Sequence, residues 1–277
     1  MKKSLPIIAA ALLAFAACDK IPADEYTLFS GISATWSEGT AIATNQRVLV
    51  EKFTGPRCPN CPDADITLDA AHEQLGDRLV LISVNHPTGQ GTPYPGDIDL
   101  RTDDGTAWDQ YYGINAIPTA FINRDKSKQY TSAMSNITTD LQSALDAQPV
   151  IAIEVNATQA GDKAVDISVN LQFEQTHTSP MTLTLALIED SLPYRQAHGS
   201  ETIEGYMHNH MLRDVLTDLW GAPVDATGTA GEKRQATFGT YTLKDTSINL
   251  SNCHIVAFVS DRTSKRVLNA AQCSITQ

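Results

Sequence analysis

The chain has 277 residues, five cysteines and a formal net charge of −12 at pH 7. A surface this acidic argues against nucleic acid as a partner and against electrostatic docking on anionic lipid. The length suits two domains rather than one.

The first segment reads as an address. Lys2 and Lys3 form a positive n-region, and Leu5 to Ala14 is an apolar run too short to span a bilayer. Phe15-Ala16-Ala17-Cys18 then reads as a bacterial lipobox, with residues 1–17 a lipoprotein signal peptide and Cys18 the lipidated new N-terminus. The plainer alternative is an ordinary signal peptide cut near Ala17. Either way the destination is the cell envelope, where disulfides persist. Residues 18–44, with Pro22, Gly31, Ser33 and Gly39, have the composition of a tether.

Val48 to Phe53 is apolar apart from Glu51 and Lys52, as a central strand covered on both faces requires. Cys58-Pro59-Asn60-Cys61 follows, and Pro62 to Leu75 reads as a helix stopped by Gly76. Leu79 to Val84 is a second buried strand, and His86 to Asp104 a long loop rich in Gly and Pro. Thr102 or Asp104 caps a helix through Trp108 and Tyr112 that ends at Gly113. Thr119 to Ile122 and Gln129 to Ser132 form a hairpin, and Ile137 to Ala147 a closing helix. The order β-α-β-α-β-β-α over residues 45–149, with Cys-x-x-Cys after the first strand and Ile117-Pro118-Thr119 before the third, resembles thioredoxin.

Thiol–disulfide exchange needs a thiolate of lowered pKa. Cys58 at the N-cap of the helix would lie in the positive end of its dipole, beside unpaired N–H groups, and Arg57 adds a positive charge. Cys58 is then the nucleophile and Cys61, one turn inside, the resolving thiol; the alternative is a structural disulfide closing a tight turn. The thioredoxin resemblance implies that Pro118 is cis and that the backbone of Ile117 pairs with an extended substrate. It also implies a buried acid beneath the motif. Glu51 is the nearest candidate, either as that proton relay or as a solvated or salt-bridged residue.

From Val150 the pattern becomes alternation. Ile151, Ile153 and Val155, then Val165, Ile167, Val169 and Leu171, then Leu183, Leu185 and Leu187 mark strands, as do Ala236 to Leu243, Cys253 to Ser260 and Arg266 to Ser274. Residues 150–277 therefore read as an all-β, immunoglobulin-like sandwich. Met207 to Leu219 fits either a helix or an irregular strand. Cys253 and Cys273 are symmetric about Thr263 and are expected to form a structural disulfide across the last hairpin; the alternative is two free buried thiols. On one strand, His208 and His210 would share a face and could hold a metal; a polar loop or interface is the alternative. No metal and no cofactor is assigned.

These residues also resemble a known family. Val50 to Gly55, Cys58 to Pro62, Ser83-Val84-Asn85-His86, Tyr112-Gly113, Pro118-Thr119, Ile122-Asn123-Arg124, His208 to Arg213 and Trp220-Gly221 are similar to the outer membrane protein 28 family. These are thioredoxin-like lipoproteins of Bacteroidetes. The resemblance implies a lipid anchor, an outer-membrane location and a C-terminal β-sandwich. The expected function is a membrane-anchored thiol–disulfide oxidoreductase acting on protein thiols and disulfides, with the membrane met through the lipid alone. The alternative is a surface binding protein or adhesin with the thioredoxin-like part as scaffold.

Overall fold

The computed structural model describes residues 31–132 and 134–277; the signal-peptide, Cys18 and early tether expectations lie outside them. In chain order the elements are β1 (Ala34–Glu38), β2 (Val48–Thr54), α1 (Cys61–Leu75), β3 (Leu79–Asn85), α2 (Asp103–Tyr112), β4 (Thr119–Ile122), β5 (Tyr130–Thr131) and α3 (Ile137–Leu145). There follow β6 (Ile151–Gly161), β7 (Ala164–Phe173), β8 (Met181–Glu189), β9 (Leu192–His198), β10 (Glu201–His208), β11 (Met211–Val215), β12 (Ala222–Pro223), β13 (Lys233–Phe238), β14 (Tyr241–Thr242), β15 (Cys253–Asp261) and β16 (Val267–Ser274). A thioredoxin-like α/β region is thus followed by a strand-rich sandwich. The undecided stretch from Met207 to Leu219 holds the end of β10 and β11, and no helix. No described helix is long and apolar enough to cross a membrane.

The two regions share one sheet. Its order is β16-β15-β8-β11-β3-β2-β4-β5, with β12 paired to β8. The join is narrow: β11 meets β3 in parallel at Met211 and Ser83, and Ser83 N–H donates to His210 O at 2.7 Å. A second sheet of β1, β13, β7, β14 and β6 packs over the sandwich end. Val48 and Val50 of β2 bury against α1 and α3. The alternate residues Leu49 and Phe53 bury on the opposite face, against Trp108 and Tyr112 of α2. That second core also takes Ala186, Ile188, Val256 and Phe258 from the sandwich strands, so both halves of the sheet close on α2.

The structure corrects two expectations and decides between the two readings of His208 and His210. Residues 34–38, assigned to the tether, form edge strand β1 on β13, with Trp36 packed on the sandwich core. Cys253 and Cys273 are free. Their hairpin pairs Ile255 with Cys273, and a register shift lies between Val259 and Ser260, so the cysteines stand diagonally, two residues out of step. Burial pushes the thiols up, Cys253 to about 12 and Cys273 to about 11. His208 closes β10, whereas His210 sits beyond it with φ 58°, so the two imidazoles do not share a strand face. Among the described residues no group of three or more His, Cys, Asp or Glu is placed to hold a metal.

Candidate active site

Cys58 and Cys61 are joined in a disulfide with Cα atoms 5.4 Å apart. The cap lies later than expected: Asn60, not Cys58, is the N-cap, and Cys61 is the first helical residue. Cys58 therefore lies two residues before the cap, in a turn closed by its N–H to Gly55 O at 3.0 Å and by Cys61 N–H to Cys58 O at 3.3 Å. Pro62 takes the second helical position, where no N–H is needed. On the other side stands the loop from Gly113 to Pro118. The Ile117–Pro118 bond is cis, and Ile117 O lies 3.5 Å from Cys58 Sγ. Asn115 and Ala116 are exposed and Ile117 half-buried, so the loop itself faces outward.

Arg57 is turned toward the Gly- and Pro-rich loop. Its N–H donates to Gln90 O at 2.9 Å, its guanidinium donates to Pro93 O at 2.6 Å, and it lies over the Tyr94 ring at 5.1 Å. The loop comes this close because Gly55 has no side chain: a Cβ there would stand 2.4 Å from Gln90 O.

Glu51 is not placed as a proton relay beneath the motif helix. The alternation of β2 sends it to the α2 face with Leu49 and Phe53. There Arg124 donates from Nη2 and Nε at 2.7 and 3.1 Å to Oε1, and the Tyr112 hydroxyl donates to Oε2 at 2.5 Å. Both charged groups are fully buried. The guanidinium also lies over the rings of Trp108 and Phe258, each 4.6 Å from its carbon and themselves edge to face. The Tyr112 hydroxyl is pushed well above its ordinary value, by burial first and then by the Glu51 charge. Of the two alternatives for Glu51, the salt-bridged one holds.

The group that β2 does present to the motif helix is Lys52. It pairs with Asp65 of α1, one helical turn beyond Cys61 on the same face, and Tyr206 donates its hydroxyl to Asp65 at 2.8 Å. Burial pulls the ammonium down to about 8, against the opposing charge of Asp69. Beside it is a cavity of about 20 Å³ lined by Lys52, Asp69, Ser83 and His210 among others, room for one water. Burial lowers His208 to about 4 and depresses His210 as well, so both are neutral at pH 7.

Sequence reasoning missed Lys52, Arg124 and Gln196. The period-2 pattern of β2 already placed Lys52 opposite Glu51. Arg124 sits in a turn with φ 58°, and nothing local marks it as inward. Gln196, on β9, is 1 % exposed, and its Nε2 lies 2.9 Å from Cys58 O and 3.3 Å from Gly55 O. Only the tertiary fold brings it to the motif.

Comparison with known proteins gives, among others, four matches. A stretch of 76 residues is 33% identical to a probable thioredoxin of Methanothermobacter marburgensis, covering 27% of this chain and 71% of that protein. The solved structure of HBP35 of Porphyromonas gingivalis superposes with a TM-score of 0.65 at 20% identity, covering 85% of this chain and 77% of that one; the likeness is one of fold. A domain of the outer membrane lipoprotein Omp28 from Porphyromonas gingivalis covers 47% of this chain and 91% of its own, at 19% identity and a TM-score of 0.34. The family model for outer membrane protein Omp28 matches residues 105–277. With more than half its length matched, from α2 to the last residue, the chain belongs to the outer membrane protein Omp28 family.

Proposed function

We propose that this protein is a lipid-anchored thiol–disulfide oxidoreductase of the cell envelope, acting at the outer membrane on the thiols and disulfides of other proteins. The observation that carries the reading is the Cys58–Cys61 disulfide at the start of α1, with Cys58 Sγ 3.5 Å from Ile117 O in the loop before Pro118. In the reduced protein the Cys58 thiolate attacks one sulfur of a substrate disulfide. The substrate S–S bond breaks, a mixed disulfide forms on Cys58, and the electron pair leaves on the other substrate sulfur. The Cys61 thiolate then attacks Cys58, closing the Cys58–Cys61 bond and releasing the second substrate thiolate. Run backward, the same steps oxidise a dithiol. The anchor rests on the apolar leader and Cys18, and the outer-membrane location on family membership.

A second reading has its own observation. Cys58 and Cys61 are 1 % and 0 % exposed, as a structural disulfide in a binding scaffold would be. Thiol-redox titration with mass readout separates the two. A reduction potential between about −120 and −270 mV is expected for a working exchange centre, whereas a value below about −300 mV marks a structural bond and favours the binding protein.

A further inference from the structure

Exchange requires an incoming sulfur to approach the disulfide, yet the pair is covered. Laid on the backbone of the motif is the hairpin β9–β10, which belongs to neither large sheet. It leaves the sandwich after β8, crosses the motif, and returns as β11. Its bonds to the motif are specific. Ala197 N–H donates to Pro56 O at 2.7 Å and Gly199 N–H to Pro59 O at 3.0 Å. Gln196 Nε2 reaches Cys58 O, Gly55 O and its neighbour Ala197 O at 2.9, 3.3 and 2.9 Å. Farther out, His198 lies 3.2 Å from Asp63, and Arg195 is paired with Asp97 of the Gly- and Pro-rich loop at 3.0 Å.

The apolar anchoring is slight. Glu201 to Met207 are exposed or half-buried, and the hairpin's own buried cluster is Leu192 with Leu100 and Met211. An element held mainly by polar contacts opens at a lower free energy than a core strand. Gln196 is the exception, a buried polar side chain spent on the motif backbone.

We propose that Gln196 is a positioning residue of the redox centre, and that through it the β9–β10 hairpin closes the Cys58–Cys61 disulfide to bulky thiols and so selects what exchanges with it. This rests on the oxidoreductase reading. With the hairpin down, a protein thiol cannot align with either sulfur, while a small thiol needs only a partial opening. With the hairpin raised, a thiolate attacks Cys58 and the Cys58–Cys61 bond breaks. A mixed disulfide forms, and the electron pair leaves on Cys61. A second thiol of the same reductant then displaces Cys58, leaving the dithiol here and a disulfide in the reductant.

The test is the rate of reduction of the purified protein by two dithiols, dithiothreitol and reduced thioredoxin, in wild type and Gln196→Ala. Loss of the Gln196 hydrogen bonds is expected to raise the rate with thioredoxin about tenfold, with a smaller change for dithiothreitol. A ratio of the two rates unchanged by the substitution overturns the proposal. Amide hydrogen exchange on the wild type gives an answer that needs no variant. Ala197 and Gly199 amides are expected to exchange well before those of β2 and β3; exchange only with global unfolding overturns the cover. The two readings fail separately. A potential in the structural range removes the oxidoreductase and leaves the amide exchange of the hairpin readable, whereas an unchanged ratio removes the cover and leaves the potential standing.

Discussion

Glu51 and Arg124 show how much a single pair can hold in place. Neither charge meets water, and each is tolerated because the other is there: taking one ion out of water costs several kcal/mol, and the mutual attraction with added hydrogen bonds offsets it. Arg124 is held in the left-handed region, φ 58°, which a long side chain adopts only when its surroundings require it. Here Asn123, φ 48°, and Arg124 are the central pair of a turn closed by Asp125 N–H on Ile122 O at 2.9 Å, which needs positive φ at both, and the bidentate bond to Glu51 then fixes the side chain. Glu51→Gln leaves the guanidinium uncompensated and is expected to destabilise the protein by about 3–5 kcal/mol in urea denaturation. The same substitution is expected to leave the Cys58–Cys61 potential near its wild-type value, because Glu51 faces α2 and not the motif helix. A large shift in potential with little loss of stability would return Glu51 to the proton-relay role.

At the scale of elements, helix α2 carries an acid that sets a pH dependence. Thr102 caps the helix, accepting from Gly105 N–H at 2.9 Å, and Asp104 follows in the first turn. Its carboxylate accepts from Val215 N–H of β11 at 3.0 Å. Burial raises Asp104 to about 6, opposed by that N–H and reinforced by neighbouring Asp214. Since the folded-state value lies above the ordinary 3.8, the native protein holds the proton more tightly than the unfolded chain. Stability from this group is therefore full below about pH 4 and falls as pH rises to about 6. Asp104→Asn keeps an acceptor for Val215 and is expected to flatten that part of the stability–pH curve in thermal scans from pH 4 to 7; an unchanged slope would assign it to other groups.

The elements also show where the sequence was legible. Helices and central strands followed from apolar period and caps: Thr102 and Gly113 bound α2 as read, and the alternations from Ile151 and Val165 became β6 and β7. The last hairpin was mispaired because its register, Ile255 opposite Cys273, is set two residues away from symmetry about Thr263, and the shift at Val259–Ser260 supplies only one of those two. Strand β1 was hidden for another reason. Its inward residues, Ala34 and Trp36, make too short an alternation to stand out from Gly, Ser and Thr, and the edge of β13 organises it. At the site, the cysteines and the Ile-Pro step were visible because the thioredoxin-like order of elements fixes where they fall. Lys52 was marked only by the alternation of β2, whereas Gln196 acts through contacts across the fold that no local pattern announces.

For the whole molecule, the question is whether the two regions stand apart. The continuous sheet joins at one bridging pair, which alone would be weak. The core around α2 is the stronger link. Ile188, Val256, Phe258 and Val267 of the sandwich strands are buried there with Phe53, Trp108 and Tyr112. Burying each of these four side chains is worth about 1.5–3 kcal/mol, so together they amount to about 6–12 kcal/mol, as much as the whole stability of an ordinary domain, about 5–15 kcal/mol. Polar ties run beside them. Asn269 accepts from Arg47 N–H at 2.9 Å and donates to Asn45 O at 2.9 Å and Ile151 O at 2.7 Å. Arg266 pairs with Asp125 at 2.8 Å. Residues 150–277 expressed alone would expose the sandwich side of that core and are expected to lack a cooperative transition. The whole protein is expected to unfold in a single step, seen as coincident near- and far-ultraviolet circular dichroism curves in urea. Two separated transitions, or a folded fragment, would mean that the sandwich carries its stability without α2. The cover over Cys58 would then be held by a unit able to move as a body, and exchange would be governed by the join at Met211 and Ser83 rather than by the hairpin alone.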